Sequence, residues 1–350
     1  MENQTKLQSN SEGNAQISYL NYLRFGAILM VILLHCVSGF VANPHYFLLP
    51  SYKLILAFNE IGRAGVPLFF MMSGYLILRD PRTMDFASFY RRRLRRILPA
   101  LIIWNAVYCV HYHKDISTFL AESIHQGCAY HLWFLYTLSG IYLFAPFLKQ
   151  IVDRCTRKQL WWLLVLISFA GTLRPLFNLV TPFYLYLFPF LTEGYISYFL
   201  FGYLLGTAPC LRKKTQIVAM LMVVSGFALG VVGNYQLSSP EQLALPFNSG
   251  YSLNHFLLAG GIFLLVRTCR WMEHRHIKSI GRLLSVVTFQ IYFVHVLVMD
   301  YSGAWVPDVG PTLTILTTFM ITASGSILFS LALHGLGRLF KSKKICTITI

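Results

Sequence analysis

The 350-residue chain is 56% hydrophobic and only 12% charged, with a mean hydropathy of +0.57 and a net charge of +16. Soluble domains carry about a quarter charged residues, so an ordinary soluble globule is excluded, and the chain reads as an all-α, polytopic membrane helix bundle. The basic excess does not indicate nucleic-acid binding, because no basic run is attached to a soluble segment that would present it.

In chain order, the first sixteen residues are polar and lack the basic region and cleavage site of a signal peptide, so 1–16 is expected to be a cytoplasmic tail and the first apolar run to be retained. Apolar runs near the roughly 20 residues needed to cross the hydrocarbon core then follow. They fall at about 19–41, 61–78, 97–112, 131–148, 160–180, 191–207, 216–235, 250–267, 283–301 and 312–336. About ten transmembrane helices are thus expected in a domain spanning 17–340, with 341–350 as a second tail. The pattern is weakest in the third run and in "RPLFNLVTPFYLYLFPF", whose three prolines and many aromatics suggest an interfacial or re-entrant piece; eleven spans is the alternative count.

Charge sets the expected orientation. With ten spans, the termini and every second loop share one side, and that side carries 24 of the 29 lysines and arginines. Lys53, Arg63, Lys114 and Arg174 fall opposite, and Arg24 lies within the first run. The positive-inside rule then places both termini in the cytoplasm. No period of 20 to 50 residues repeats and no connecting loop is longer than about 20 residues, so any activity is expected within the bundle. Seven scattered cysteines, odd in number and without a C-x-x-C, argue against a disulfide framework and a zinc site, and no metal is expected. Cys36 reads either as apolar packing or as a nucleophile beside His35.

Arg24 and His35 are the residues least welcome in hydrocarbon. Eleven positions at 100° each make three turns plus about 20°, which puts both side chains on one stripe, about 16 Å apart along the axis. Arg24 is near the cytoplasmic end, where it either anchors the helix or binds something. An imidazole with a pKa of about 6.5 is mostly neutral at pH 7 and suits proton abstraction from a hydroxyl; a packed, satisfied histidine is the alternative. In "GVPLFFMMSGYLI", Gly65, Ser73 and Gly74 permit close helix approach, and Ser73 also offers a hydroxyl across the interface. "FYRRRLRRILP" holds five arginines that act as topology signals or as forks for an anionic cofactor. His131 and Trp133 open a run at the outer interface, where tryptophan ordinarily joins an aromatic belt. His295, about twelve residues into its span, is a second mid-membrane imidazole; Glu193 and Asp300 are the acids best placed to polarise one, with a purely interfacial position as the alternative for either.

Taken together, Arg24 and His35 at R-x10-H spacing, "GVPLFFMMSGYLI", "RRRLRRILP", "HLWFLYTLSGIYLFAPFL", "YFLFGYLLG" and "TFQIYFVH" resemble the acyltransferase 3 family of membrane O-acyltransferases, over essentially the whole chain. Through "VPLFFMMSGYL" and "YHLWFLYTLSGIYL" the likeness is to the stand-alone type that O-acetylates enterobacterial common antigen. The resemblance implies transfer of an acyl group, usually acetyl, from cytosolic acetyl-CoA to a hydroxyl of a surface glycan or lipid-linked saccharide, at the bacterial inner membrane. It implies His35 as the catalytic base with Arg24 as its partner. It also implies coenzyme phosphates held by an R-x-x-R element that maps best to Arg93 and Arg96, with Arg92 and Arg95 sharing the spacing. Two departures stand out. Asn21 replaces the acid often found three positions before the arginine, and no fused periplasmic domain is present, so the acceptor is expected to reach the bundle itself. Direct attack on the thioester and a transient acyl carrier both remain open. A transporter or flippase, with Arg24, His35 and His295 lining a path, is the rival class; a structural or receptor-like bundle is a third.

Overall fold

A bilayer core offers no partner for backbone N–H and C=O groups, so a chain this apolar crosses it as helices or as a closed barrel. The computed structural model describes residues 2–125, 127–181, 194–269, 275–307 and 309–341, and among them the chain forms twelve α-helices and no strand. The helices are α1 (Glu2–Val41), α2 (Tyr52–Arg63), α3 (Gly65–Leu78), α4 (Phe86–His111), α5 (Ile116–His125) and α6 (Trp133–Arg154). The second half comprises α7 (Arg157–Val180), α8 (Ile196–Gly206), α9 (Arg212–Leu237), α10 (Leu253–Arg267), α11 (Arg275–Ser302) and α12 (Pro311–Lys341).

Among the described residues, six stretches are long and apolar enough to span: Tyr19–Val41, Tyr52–Leu78, Ile116–Arg154, Arg212–Leu237, Ser279–Ser302 and Pro311–Leu336. The expected spans at 191–207 and 250–267 appear as the shorter apolar helices α8 and α10, of 11 and 15 residues. Most of the proline-rich stretch after α7, and Glu193 with it, lies outside the described residues.

Two elements begin earlier than apolar periodicity indicates, for different reasons. The run expected at 61–78 starts at Tyr52, because α2 and α3 follow one another with only Ala64 between them. Lys53, Asn59, Glu60 and Arg63 masked this apolar continuity, yet Asn59 and Glu60 are buried. They bond within the fold: Asn254 Nδ2 donates to Glu60 Oε1 (2.7 Å), Asn59 Nδ2 to Asn248 Oδ1 (2.9 Å), and Arg63 Nη1 to the Asn248 carbonyl (2.6 Å). This network joins α2 to the α9–α10 hairpin. The run expected at 97–112 starts at Phe86, because the Asp85 side chain accepts from the Ser88 N–H (3.2 Å) and caps the helix. Arginine is a good helix former, so the basic cluster simply continues α4. Just before it, Asp80 accepts from both the backbone and the guanidinium of Arg82, which holds its carboxyl below the usual range and fixes the turn from α3 into α4.

Helix approach is closest where α3 meets α8. A Cβ on Gly74 would overlap the Phe199 carbonyl, and one on Gly202 would overlap the Met71 carbonyl. Contact between helix backbones of this kind requires small residues. Gly74→Val is therefore expected to force the two helices apart at a cost of about 3 kcal/mol or more, read as a lower melting temperature in detergent. An unchanged melting temperature would show that the crossing yields without strain.

Candidate active site

The first site component lies on α1, which presents Arg24 and His35 along one stripe. Arg24 is half-buried, and its guanidinium donates to Asn21 Oδ1 (3.3 Å) and to Ser285 Oγ on α11 (3.2 Å). No carboxylate pairs with it among the described residues. It lines a cavity of about 610 Å³ together with Ser73, Arg93, Arg96, Arg282 and Tyr142, among others, and no acidic residue belongs to that lining. Four guanidinium groups around an acid-free cavity of this size, well within the range of small-molecule sites, form a basic vestibule whose chemistry suits an anionic ligand. α4 supplies Arg93 and Arg96 one turn apart, and the Arg93 guanidinium lies 5.8 Å from the Phe89 ring centroid and 5.6 Å from that of Tyr142. Those rings flank the guanidinium itself, and Arg93 lines the cavity.

Arg92, expected beside them, is placed elsewhere. It is exposed, bonds the Ser88 hydroxyl and the Arg82 carbonyl, and is not part of the vestibule lining. The physical reason is helical phase: a residue next to Arg93 is rotated about 100° away from it.

The second component surrounds His35. Its ring is stacked on His295 of α11 (centroids 5.4 Å apart, planes 22°) and receives the edge of Tyr130 at 4.9 Å. His131 meets His295 at 5.0 Å, so three imidazoles from distant parts of the chain form one cluster. His295 Nδ1 is 3.1 Å from the Ile291 carbonyl. A carbonyl only accepts, so Nδ1 carries the proton and Nε2 of the neutral ring presents its lone pair. That Nε2 and both ring nitrogens of His131 are buried without partners among the described residues. Beside them is a small cavity of about 60 Å³ lined by His35, His131 and Trp133 with apolar neighbours. Unpaired buried polar atoms at a cavity are where a polar ligand finds its hydrogen bonds.

The loop that delivers Tyr130 and His131 is held from α4. Buried Asn105 accepts from the Cys128 N–H (2.7 Å) and bonds Tyr136 (3.0 Å), Gly127 turns the chain at φ +97°, and Tyr292 donates to the His131 carbonyl (2.7 Å). Asn105 carried no sequence signal, and Tyr130 and Tyr292 lie within quoted motifs without standing out in them, since a tyrosine or asparagine in such a chain reads equally as interfacial. Trp133, expected in an aromatic belt, instead lines the histidine cavity and lies 5.3 Å from the Tyr195 ring. Asp300 makes no hydrogen bond to His35 or His295 among the described residues: its Oδ2 accepts from Tyr112 (2.9 Å) and pairs with His111 Nε2 (3.0 Å). Cys36 is buried and takes no part in the cavity lining.

A third cavity, between α11 and α12, holds about 480 Å³ but is lined almost entirely by apolar side chains and presents no titratable group of use in acid–base chemistry.

The acyltransferase domain profile of the acyltransferase 3 family matches residues 17–335. The chain belongs to that family. Similarity also extends to the serine/alanine racemase of Enterococcus gallinarum, 24% identical over 296 residues, which are 79% of this chain and 40% of the racemase. The chain thus spans well under half the length of that relative. No solved structure matches the chain significantly.

Proposed function

We propose that the protein is an O-acyltransferase that moves an acetyl group from cytosolic acetyl-CoA to a hydroxyl of a surface glycan or lipid-linked saccharide, in the bacterial inner membrane. The observation that carries this reading is the arrangement of the two cavities: an acid-free arginine vestibule abuts the chamber of His35, and the linings share side chains. The positive-inside rule orients the vestibule and both termini to the cytoplasm, where acetyl-CoA is made. Arg24, Arg93 and Arg96 bind the coenzyme phosphates, and the thioester points along the α1 stripe toward His35. The acceptor enters from the other end, past half-exposed Tyr130. The likeness to the stand-alone enterobacterial common antigen type supports a saccharide acceptor.

In the transfer step, His35 takes the hydroxyl proton as the oxygen bonds to the thioester carbon. The carbon–sulfur bond then breaks, and the thiolate leaves with the proton that the imidazolium returns. Among the described residues the chamber lining contains no serine, threonine or cysteine, and the Tyr292 hydroxyl in it donates to the His131 carbonyl, which favours direct attack over a hydroxyl- or thiol-borne acyl intermediate. His131, on the chamber wall, offers a lone pair that orients the acceptor hydroxyl, while His295 stacks on His35 from outside that lining.

The test is thiol release. Membrane vesicles from cells making the protein are expected to liberate free coenzyme A thiol from acetyl-CoA well above vesicles lacking it, with radiolabelled acetyl appearing in the glycan fraction. A transporter or flippase would leave acetyl-CoA intact, and that result would replace the transferase reading.

A further inference from the structure

The two cavities meet at three aromatic rings. Phe69 of α3, Phe134 of α6 and Tyr292 of α11 belong to the lining of both the large vestibule and the small chamber. We infer that these side chains form a septum that selects the acyl group by size, admitting acetyl to His35 and holding longer chains in the vestibule. The inference rests on the transferase reading, since it concerns what passes between the donor and acceptor compartments.

Three observations carry it. The first is volume: the chamber holds about 60 Å³, room for about four water-sized spheres, which fits an acetyl group and not a hexanoyl one. The vestibule, at about 610 Å³, places no such limit on the carrier. The second is continuity of the wall. Phe134 bridges the other two rings, with centroids 5.8 Å from Phe69 and 5.6 Å from Tyr292. The third is graded rigidity. Tyr292 is pinned by its hydrogen bond to the His131 carbonyl, and Phe134 is buried and also packs on Phe70 at 5.0 Å. Phe69 is half-buried, and Phe134 is its one aromatic neighbour among the described residues. Phe69 is therefore the member whose size sets the aperture, while the other two hold its frame.

Removing the ring merges the compartments. Thiol release is measured from acetyl-, butyryl- and hexanoyl-CoA in membrane vesicles, with Phe69→Ala compared to the unaltered chain. The unaltered chain is expected to discriminate against hexanoyl-CoA, and Phe69→Ala to raise the hexanoyl-to-acetyl rate ratio at least ten-fold. Phe69→Leu, which keeps the site apolar and is easier to fold, is expected to shift the ratio the same way by a smaller factor. A second readout needs no turnover. Val66→Cys places a thiol on the chamber wall, and its modification by a methanethiosulfonate reagent from the arginine side is expected to accelerate at least ten-fold when combined with Phe69→Ala. If acetyl-CoA is consumed but neither the ratio nor the labelling rate changes, the septum is overturned and the transferase reading stands. If no acyl-CoA of any length is consumed by the unaltered chain, the transferase reading and the acyl filter fall together.

Discussion

His35→Ala is expected to lower acyl transfer by about 10³-fold, within the range that a positioned general base contributes, while leaving the protein folded and inserted. The expectation follows from what the ring touches. His35 is half-buried, and its ring makes no hydrogen bond among the described residues, only the stack on His295 and the edge of Tyr130. Truncation therefore strands no buried partner, and a large loss of stability has no source in the structure. The imidazole borders the small chamber and not the vestibule, so the KM for acetyl-CoA should hold while kcat falls. His35→Gln, which keeps the volume and a hydrogen-bonding end but has no basic nitrogen, should be nearly as inactive. Activity within ten-fold of the unaltered chain in either variant, measured as thiol release from equal amounts of folded protein, would remove His35 from the base role. His295 then becomes the next imidazole to test.

Arg24→Ala is expected to cut kcat/KM for acetyl-CoA by about 10- to 100-fold, the loss that goes with one charge-assisted hydrogen bond worth about 1.5 to 3 kcal/mol. Most of that loss should fall in KM. Arg24 holds only neutral partners, the Asn21 amide and the Ser285 hydroxyl, so its charge is available to a ligand. Arg24→Lys keeps the charge but not the planar fork and should recover only part of the loss. Arg92→Ala serves as the internal comparison: it belongs to the same basic cluster and faces away from the vestibule, so its effect should lie within two-fold. Equal losses in the Arg24 and Arg92 variants would mean that net charge at this end, and not the vestibule, governs activity.

Part of the site was legible in the chain because helical phase is local. The R-x10-H spacing fixes Arg24 and His35 on one stripe whatever surrounds α1, and the Arg93–Arg96 pair falls one turn apart for the same reason. Phase also separates Arg92 from Arg93, but choosing between the two required knowing which side of α4 faces the cavity. Asp300 shows the opposite limit. Its depth along α11 made it a reasonable partner for a mid-membrane imidazole, yet neighbouring α4 brought His111 and Tyr112 within bonding distance first. Polarity also misled locally. Glu60 and its neighbours set the expected start of the second run at 61, yet Glu60 and Arg63 lie within the Tyr52–Leu78 stretch and bond to asparagines nearly two hundred positions away.

By itself the sequence determined the class of molecule: composition forces a membrane bundle, backbone hydrogen bonding forces helices, and the distribution of lysine and arginine separates a basic end from its opposite. Only the tertiary structure decided which imidazoles meet and which rings stand between them and the arginines. Periodicity tells a helix which face to bury but not which neighbour will cover it. In a chain that is 15% aromatic, Phe69, Phe134 and Tyr292 are indistinguishable from lipid-facing or core rings until packing brings three helices together around one gap.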